Sequence, residues 1–405
     1  MKNIILTNVL LLASVSILIA QPEETSANLY SNGAEKMLQT NGNLKIGGYG
    51  EVHYNQPVSL DARKNGTLDV QRIVMMLGYQ FNENVQFVSE LEFEHVSEVY
   101  VEQAFLQYRL NNSVNFRGGL ILTPMGIVNE YHEPTTFNGV ERPQIDNAIS
   151  PTTWREIGFG ITGVLLPVSL KYQAYIMNGF NGFDGQARIG GANGFRGGRQ
   201  KGAESYISSP NFSTKVEYFG FRGINIGLSG YFGDTQSTLY NNLDKNDEVA
   251  LAQADSSVVG ISMFGVDARY TYKGLKITGQ LYYTLVSNTE AYNKFTTGKG
   301  GGNLGSSMYG YYIDLGYNVL RTVKTEKQLI PFVRYSNYDT QYTVSENITD
   351  NPAYQKNMVT TGLSFFLTSG AVVKADMQFV KTGASDKYAK TFNAGFGIMF
   401  YKVKT

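Results

Sequence analysis

The chain has 405 residues, with 44 Gly, 28 Tyr and 23 Phe, no cysteine, and 34 basic against 34 acidic side chains. The missing cysteines exclude disulfides, thiolate nucleophiles, Cys-ligated metals and lipid attachment through an N-terminal cysteine. Length alone allows two or three soluble domains, but one barrel of about 16 short strands fits equally well.

The N-terminus bears on the compartment. Lys2 precedes an apolar stretch from Ile4 to Ala20, and Gln21-Pro22-Glu23-Glu24 ends it. That is the layout of a Sec-type signal peptide, with cleavage expected after Ala20 although Leu18 is bulky for its place before the cut. No later segment has the roughly 18 apolar residues of a spanning helix, so the mature chain can cross a membrane only as strands. The expected organisation is a signal peptide at 1–20, a periplasmic extension at 21–43 and a barrel at 44–405.

From Leu44 onward, apolar and polar residues alternate over segments of about ten positions, the period of a strand with one wet and one apolar face. Sixteen segments are predicted: 44–54, 68–80, 85–95, 98–110, 114–122, 155–164, 168–177, 211–220, 223–233, 258–273, 275–286, 307–318, 328–337, 357–367, 371–380 and 390–401. Even-numbered strands are followed by tight polar turns such as Asn82-Glu83-Asn84, Asn111-Asn112-Ser113 and Lys273-Gly274, and odd-numbered ones mostly by long polar loops. Short periplasmic turns and long extracellular loops produce this asymmetry. The 319–327 connection and the short step from Glu94 to Glu98 depart from it.

Within strands, Val168, Leu170, Tyr172, Ala174 and Ile176 are assigned to lipid, and Ser169, Lys171, Gln173 and Tyr175 to the lumen. Likewise Phe264, Val266, Ala268 and Tyr270 face out, with Asp267, Arg269 and Thr271 inside. Tyr108, Tyr218, Tyr272 and Tyr317 near strand ends suit an interfacial girdle. The last strand ends at Tyr401 with an aromatic residue, as outer-membrane targeting signals do, but Lys402 to Thr405 follow it. The fold class expected is all-β, a transmembrane antiparallel barrel of the outer membrane.

Little points to catalysis. His53, His95 and His132 lack the spacing of a helical metal motif, and Pro134 interrupts the run at His132-Glu133. No catalytic residue, metal, cofactor or nucleic-acid partner is expected, and the chain is read as a non-enzyme. Inward parity places Arg109, Arg117, Lys171, Lys215, Arg269, Lys276, Arg334 and Lys374 on the pore wall. Opposite them stand Glu90, Glu92, Glu94, Glu217, Asp267, Asp314 and Asp376, some paired across neighbouring strands. Two loops are long enough to narrow the pore. Thr123–Trp154, restricted by four prolines, would bring Glu130, His132, Glu133, Glu141, Arg142, Asp146, Trp154, Arg155 and Glu156 near it. Asn178–Ser209 carries Arg188, Arg196, Arg199 and Lys201 on a glycine-spaced, flexible basic segment able to attract anions.

Leu44 to Gly163 resembles the phosphate-selective porin O/P family and its relatives in Bacteroidetes-type bacteria. The matching residues are Gly47-Gly48-Tyr49-Gly50-Glu51-Val52-His53-Tyr54 and, between Gly119 and Glu156, the Thr-Pro-Met-Gly, His-Glu-Pro, Glu-Arg-Pro and Thr-Trp-Arg-Glu elements. The resemblance implies a 16-stranded, trimeric porin whose third loop narrows the channel. Its phosphate selectivity does not transfer, because the predicted wall is nearly balanced in charge. The expected function is passive diffusion of small hydrophilic solutes, with an anion bias. The alternatives are a non-conducting structural or adhesive barrel with a plugged lumen, and a barrel hydrolase with a Ser–His pair at its outer rim.

Overall fold

A computed structural model describes residues 30–39, 42–59 and 61–401. The expected signal peptide and Lys402 to Thr405 lie outside the described residues.

The strands are β1 (Leu44–Val58), β2 (Thr67–Gln80), β3 (Val85–Glu94), β4 (Glu98–Arg109), β5 (Asn115–Leu122), β6 (Arg155–Leu165), β7 (Leu170–Met177), β8 (Asn181–Phe183) and β9 (Asn211–Tyr218). They continue with β10 (Ile224–Asp234), β11 (Gln236–Ser237), β12 (Gly260–Tyr272), β13 (Leu275–Val286), β14 (Ser307–Tyr317), β15 (Gln328–Thr343), β16 (Gln355–Thr368), β17 (Ala371–Thr382) and β18 (Ala389–Tyr401). All but β8 and β11, which form a small parallel pair, close into one antiparallel barrel of sixteen strands. β1 pairs with β18 from Gly47 opposite Tyr401 to Val58 opposite Lys390, so no edge is left open. Closure satisfies every ladder within the sheet, as hydrocarbon surroundings require.

The sixteen barrel strands are the sixteen predicted segments. β1 and β15 run further than expected, to Val58 and Thr343. Above the lipid a strand needs no apolar face, so pairing with its neighbour can continue after the alternation has ended. Lipid-facing side chains expose their apolar surface: Phe159, Leu228, Phe264, Val266, Leu281, Ile313, Val333 and Phe396 are examples on seven strands. Asp267 and Arg269 between them are buried within the barrel, as are Lys171, Gln173 and Tyr175.

Turn chemistry fixes the short-turn end. Asn82 Oδ1 accepts from the backbone N–H groups of Asn84 and Val85, and Asn111 does the same for Ser113 and Val114. Lys273 and Gly274, with φ of 46° and 83°, make a two-residue hairpin turn. At the other end the tight 95–97 hairpin places His95 and Val96 at φ 51° and 66°.

Two features inside the barrel position the site. Pairing of β3 with β4 slips between Glu90, opposite Gln103, and Leu91, opposite Val101. The extra residue is Glu102, and this bulge turns Glu102 and Gln103 both into the lumen. In the stretch expected as a periplasmic extension, the helix Gly33–Gln39 packs into the barrel at the short-turn end. It buries Ala34 and Met37 against Tyr49, Val74, Met76, Val88 and Phe105.

Candidate functional site

The lumen is divided by loop 123–154, which folds inward and is held from both sides of the wall. Its entry depends on Gly126, at φ +65°, where a Cβ would lie 1.9 Å from the Tyr282 hydroxyl. Lys215 Nζ donates to the Gly126 carbonyl at 2.6 Å and meets Glu130 at 2.7 Å. Across the barrel, Asn138 donates to Asp314 at 2.6 Å, Lys374 to the Phe137 carbonyl at 2.9 Å, and the Val140 N–H to Asp376 at 2.7 Å. Arg334 donates to the Glu141 carbonyl at 3.0 Å. The return is fixed by Trp154, fully buried, stacked on Phe180 at 4.4 Å and donating to Glu156 at 2.8 Å.

The expected constriction residues therefore gather in the lumen, but as parts of a packed network. Glu130, His132, Glu133, Arg155 and Glu156 are buried, while Glu141 and Arg142 are half-buried and line an outer cavity. His53 and Asn55 hold Glu141 at 3.1 and 2.9 Å, and Arg142 reaches Glu51 at 3.4 Å. On the short helix Ile145–Ala148, Asp146 accepts from Gln280 at 2.7 Å and Tyr282 at 3.0 Å. Burial outweighs those two hydrogen bonds and pushes Asp146 up to about 7. His132 Nε2 lies 3.4 Å from the Glu102 carboxylate.

The predicted wall cations all lie on the barrel strands, six of them buried, with Lys276 half-buried and Arg109 exposed. Arg269 meets Glu217 at 2.6 Å, and Lys215 lies 3.6 Å from Asp267 and 4.0 Å from Glu217. These partners lie on β9 and β12, two strands apart, and meet over the intervening β10, where Gly227 stands between Glu217 and Asp267 and offers no side chain to separate them. Lys171 reaches Glu35 of the Gly33–Gln39 helix at 2.7 Å, and Arg334 reaches Asp314 at 3.0 Å. Among the predicted acids, Glu90 and Glu92 are buried and Glu94 is half-buried.

The basic segment 178–210 is more built than its composition suggests. Phe180, Phe183, Ile189 and Phe195 are buried, and Phe180 and Phe195 stack at 5.5 Å. Arg188 is paired with Asp184 at 2.6 Å, Arg199 donates to Thr153 Oγ1 at 3.0 Å, and Lys201 lies 4.7 Å over the Tyr100 ring. Of the four, Arg196 lines the outer cavity.

Three cavities open inside the barrel, two of them against the loop. The outer one, about 380 Å³, lies among Glu51, His53, Arg72, Glu141 and Arg142. Two inner ones of about 240 Å³ each are lined by Arg109, Arg117 and Lys171, and by Arg269, Lys276 and Arg334. Pro143 lines both the outer cavity and the second inner one.

Sequence reasoning missed Arg72, Glu102 and the inserted helix. Arg72 sits on a strand whose lumen face also carries Val74 and Met76, so polarity does not alternate there. Glu102 is out of step because of the bulge.

A closed sixteen-stranded barrel, apolar outside and polar within, with a long loop folded into its lumen, defines a porin-type β-barrel that crosses the outer membrane many times. Solved porins share this fold: Salmonella typhi OmpF in complex with daunomycin matches with a TM-score of 0.56 and 12% identity over 89% of this chain and 98% of that one. The outer membrane channel DcaP of Acinetobacter baumannii matches at 0.54 and 9% over 88% and 97%. An anion-selective porin from Comamonas acidovorans matches at 0.52 and 12% over 89% and 99%. No family model matches the sequence. The chain belongs to the same family as an uncharacterized protein of Aquifex aeolicus (strain VF5), 32% identical over 368 residues that span 87% of this chain and 79% of that protein.

Proposed function

We propose that the protein is a porin for small hydrophilic solutes, biased toward anions such as phosphate, embedded in outer-membrane lipid as a homotrimer. The observation that carries the anion bias is the lining of the two inner cavities. Arg109, Arg117, Lys171, Lys36, Arg269, Lys276 and Arg334 face them, against Glu35 and Asp314. Wall charges act strongly at such short range, so an excess of one sign favours the opposite ion. The resemblance to the phosphate-selective porin O/P family supports the channel but not the choice of solute, and passive diffusion needs no catalytic residue.

Reversal potentials across a salt gradient in planar bilayers test this. The wild type should prefer anions, and joint Arg109→Gln, Arg117→Gln and Lys276→Gln substitution should move the reversal potential toward zero. An unchanged potential removes the inner cavities as the filter.

A second reading, a structural or adhesive barrel that does not conduct, is favoured by one observation: loop 123–154 and the Gly33–Gln39 helix both pack inside the barrel. Deleting residues 30–39 separates the two. A porin should gain conductance on deletion, whereas a barrel insulating in both forms is the second kind.

A further inference from the structure

The structure assigns a divalent-cation site to Glu90, Glu102 and His132, where the inner loop meets the β3–β4 wall. Each offers one ligand atom, and these atoms lie within 4.8 Å of one another. All three residues are buried, at 2%, 0% and 2% exposure.

Two independent observations point to an ion. Glu90 Oε2 and Glu102 Oε1 are buried without a hydrogen-bond partner, an arrangement that is costly for a carboxylate oxygen. His132 is also oriented as metal-bound histidines are. Its Nδ1 lies 3.0 Å from the Asn129 carbonyl, and donation there leaves the Nε2 lone pair facing the carboxylates. The Tyr49 hydroxyl lies 2.8 Å from both Nε2 and Glu102 Oε2, and its one proton can serve Glu102.

Local charge favours the same conclusion. Arg72 Nη1 lies 3.7 Å from Glu92 and 4.0 Å from Glu102, beyond hydrogen-bonding distance of either, while its Nε serves Glu51 at 2.7 Å and its Nη2 the His132 carbonyl at 2.6 Å. Glu90 has one neutral partner, Gln103, at 3.0 Å. One imidazole with two carboxylates suits a first-row cation such as Zn²⁺; Ca²⁺ takes six to eight oxygens and no nitrogen. A bound ion joins β3, the bulge of β4 and the inner loop, whether or not the barrel conducts.

The test uses the full chain folded in detergent with Zn²⁺, dialysed and assayed for metal by mass spectrometry. A His95→Ala background removes the exposed His95–Asp69 pair as a competing site. About one zinc per chain should remain, together with a raised melting temperature. Glu102→Gln and Glu90→Gln should each weaken retention by roughly tenfold or more, while Tyr49→Phe retains it. Glu90→Gln serves alone if Glu102→Gln fails to fold. No zinc on the parent chain, undiminished zinc in the folded ligand variants, or retention of Ca²⁺ in its place overturns the site.

Discussion

Single residues carry two readable strains. Val96 holds a β-branched side chain at φ 66° in the 95–97 hairpin, a region that L-residues enter at a cost of roughly 1–2 kcal/mol. Val96→Gly should stabilise the barrel by about 0.5–1 kcal/mol, part of the relief being offset by glycine's freedom when unfolded; equilibrium unfolding in urea measures it. Asp146 is the second. Its carboxyl is held at about 7 by burial, with Gln280 and Tyr282 pulling the other way. Because this lies above the ordinary value, the folded protein holds a proton that the unfolded chain releases. Stability should therefore fall as pH rises from about 4 to about 7 and then level off. Asp146→Asn stays neutral throughout and should lack that component, so the difference between the two melting profiles from pH 4 to 8 should change with pH. Parallel profiles count against it.

Among elements, the Gly33–Gln39 helix depends on glycines of the wall. A Cβ on Gly47 would lie 3.2 Å from Met37 Sδ and 2.8 Å from the Tyr401 ring, and one on Gly78 would lie 3.5 Å from Met37 Cε. Gly47→Leu should therefore displace the helix while leaving the barrel closed, read as faster proteolysis near residues 30–39 with unchanged heat-resistant migration of the folded barrel. The strands were legible because lipid imposes a strict period of two. The elements inside the lumen were not. A helix resting on Val74 and Met76 removes the polar face that alternation relies on, and a one-residue bulge moves Glu102 out of step. Loop 123–154 was legible as an inserted loop from its length, prolines and lone tryptophan. Its partners were not, since Asp314, Arg334 and Asp376 lie far along the chain and reach it only after the barrel closes.

For the whole molecule, the wall turns apolar side chains outward, and inside it buried ion pairs share the interior with packed apolar and aromatic clusters. Charge is tolerated on one face of each strand and not on the other. Leu228→Arg, on the lipid side of β10, should cost about 2–4 kcal/mol in a lipid-bilayer refolding titration if it lies near the midplane. Closure also sets an order of events. β1 meets β18 across nearly the whole length of the barrel sequence, and Lys36 of the helix lies 5.5 Å over the ring of Tyr401, the last residue of β18. Contacts so distant in sequence form late and slowly. The helix rests chiefly on β1, β2 and β3 and reaches β18 at Tyr401, so its berth is complete only once the first and last strands have joined.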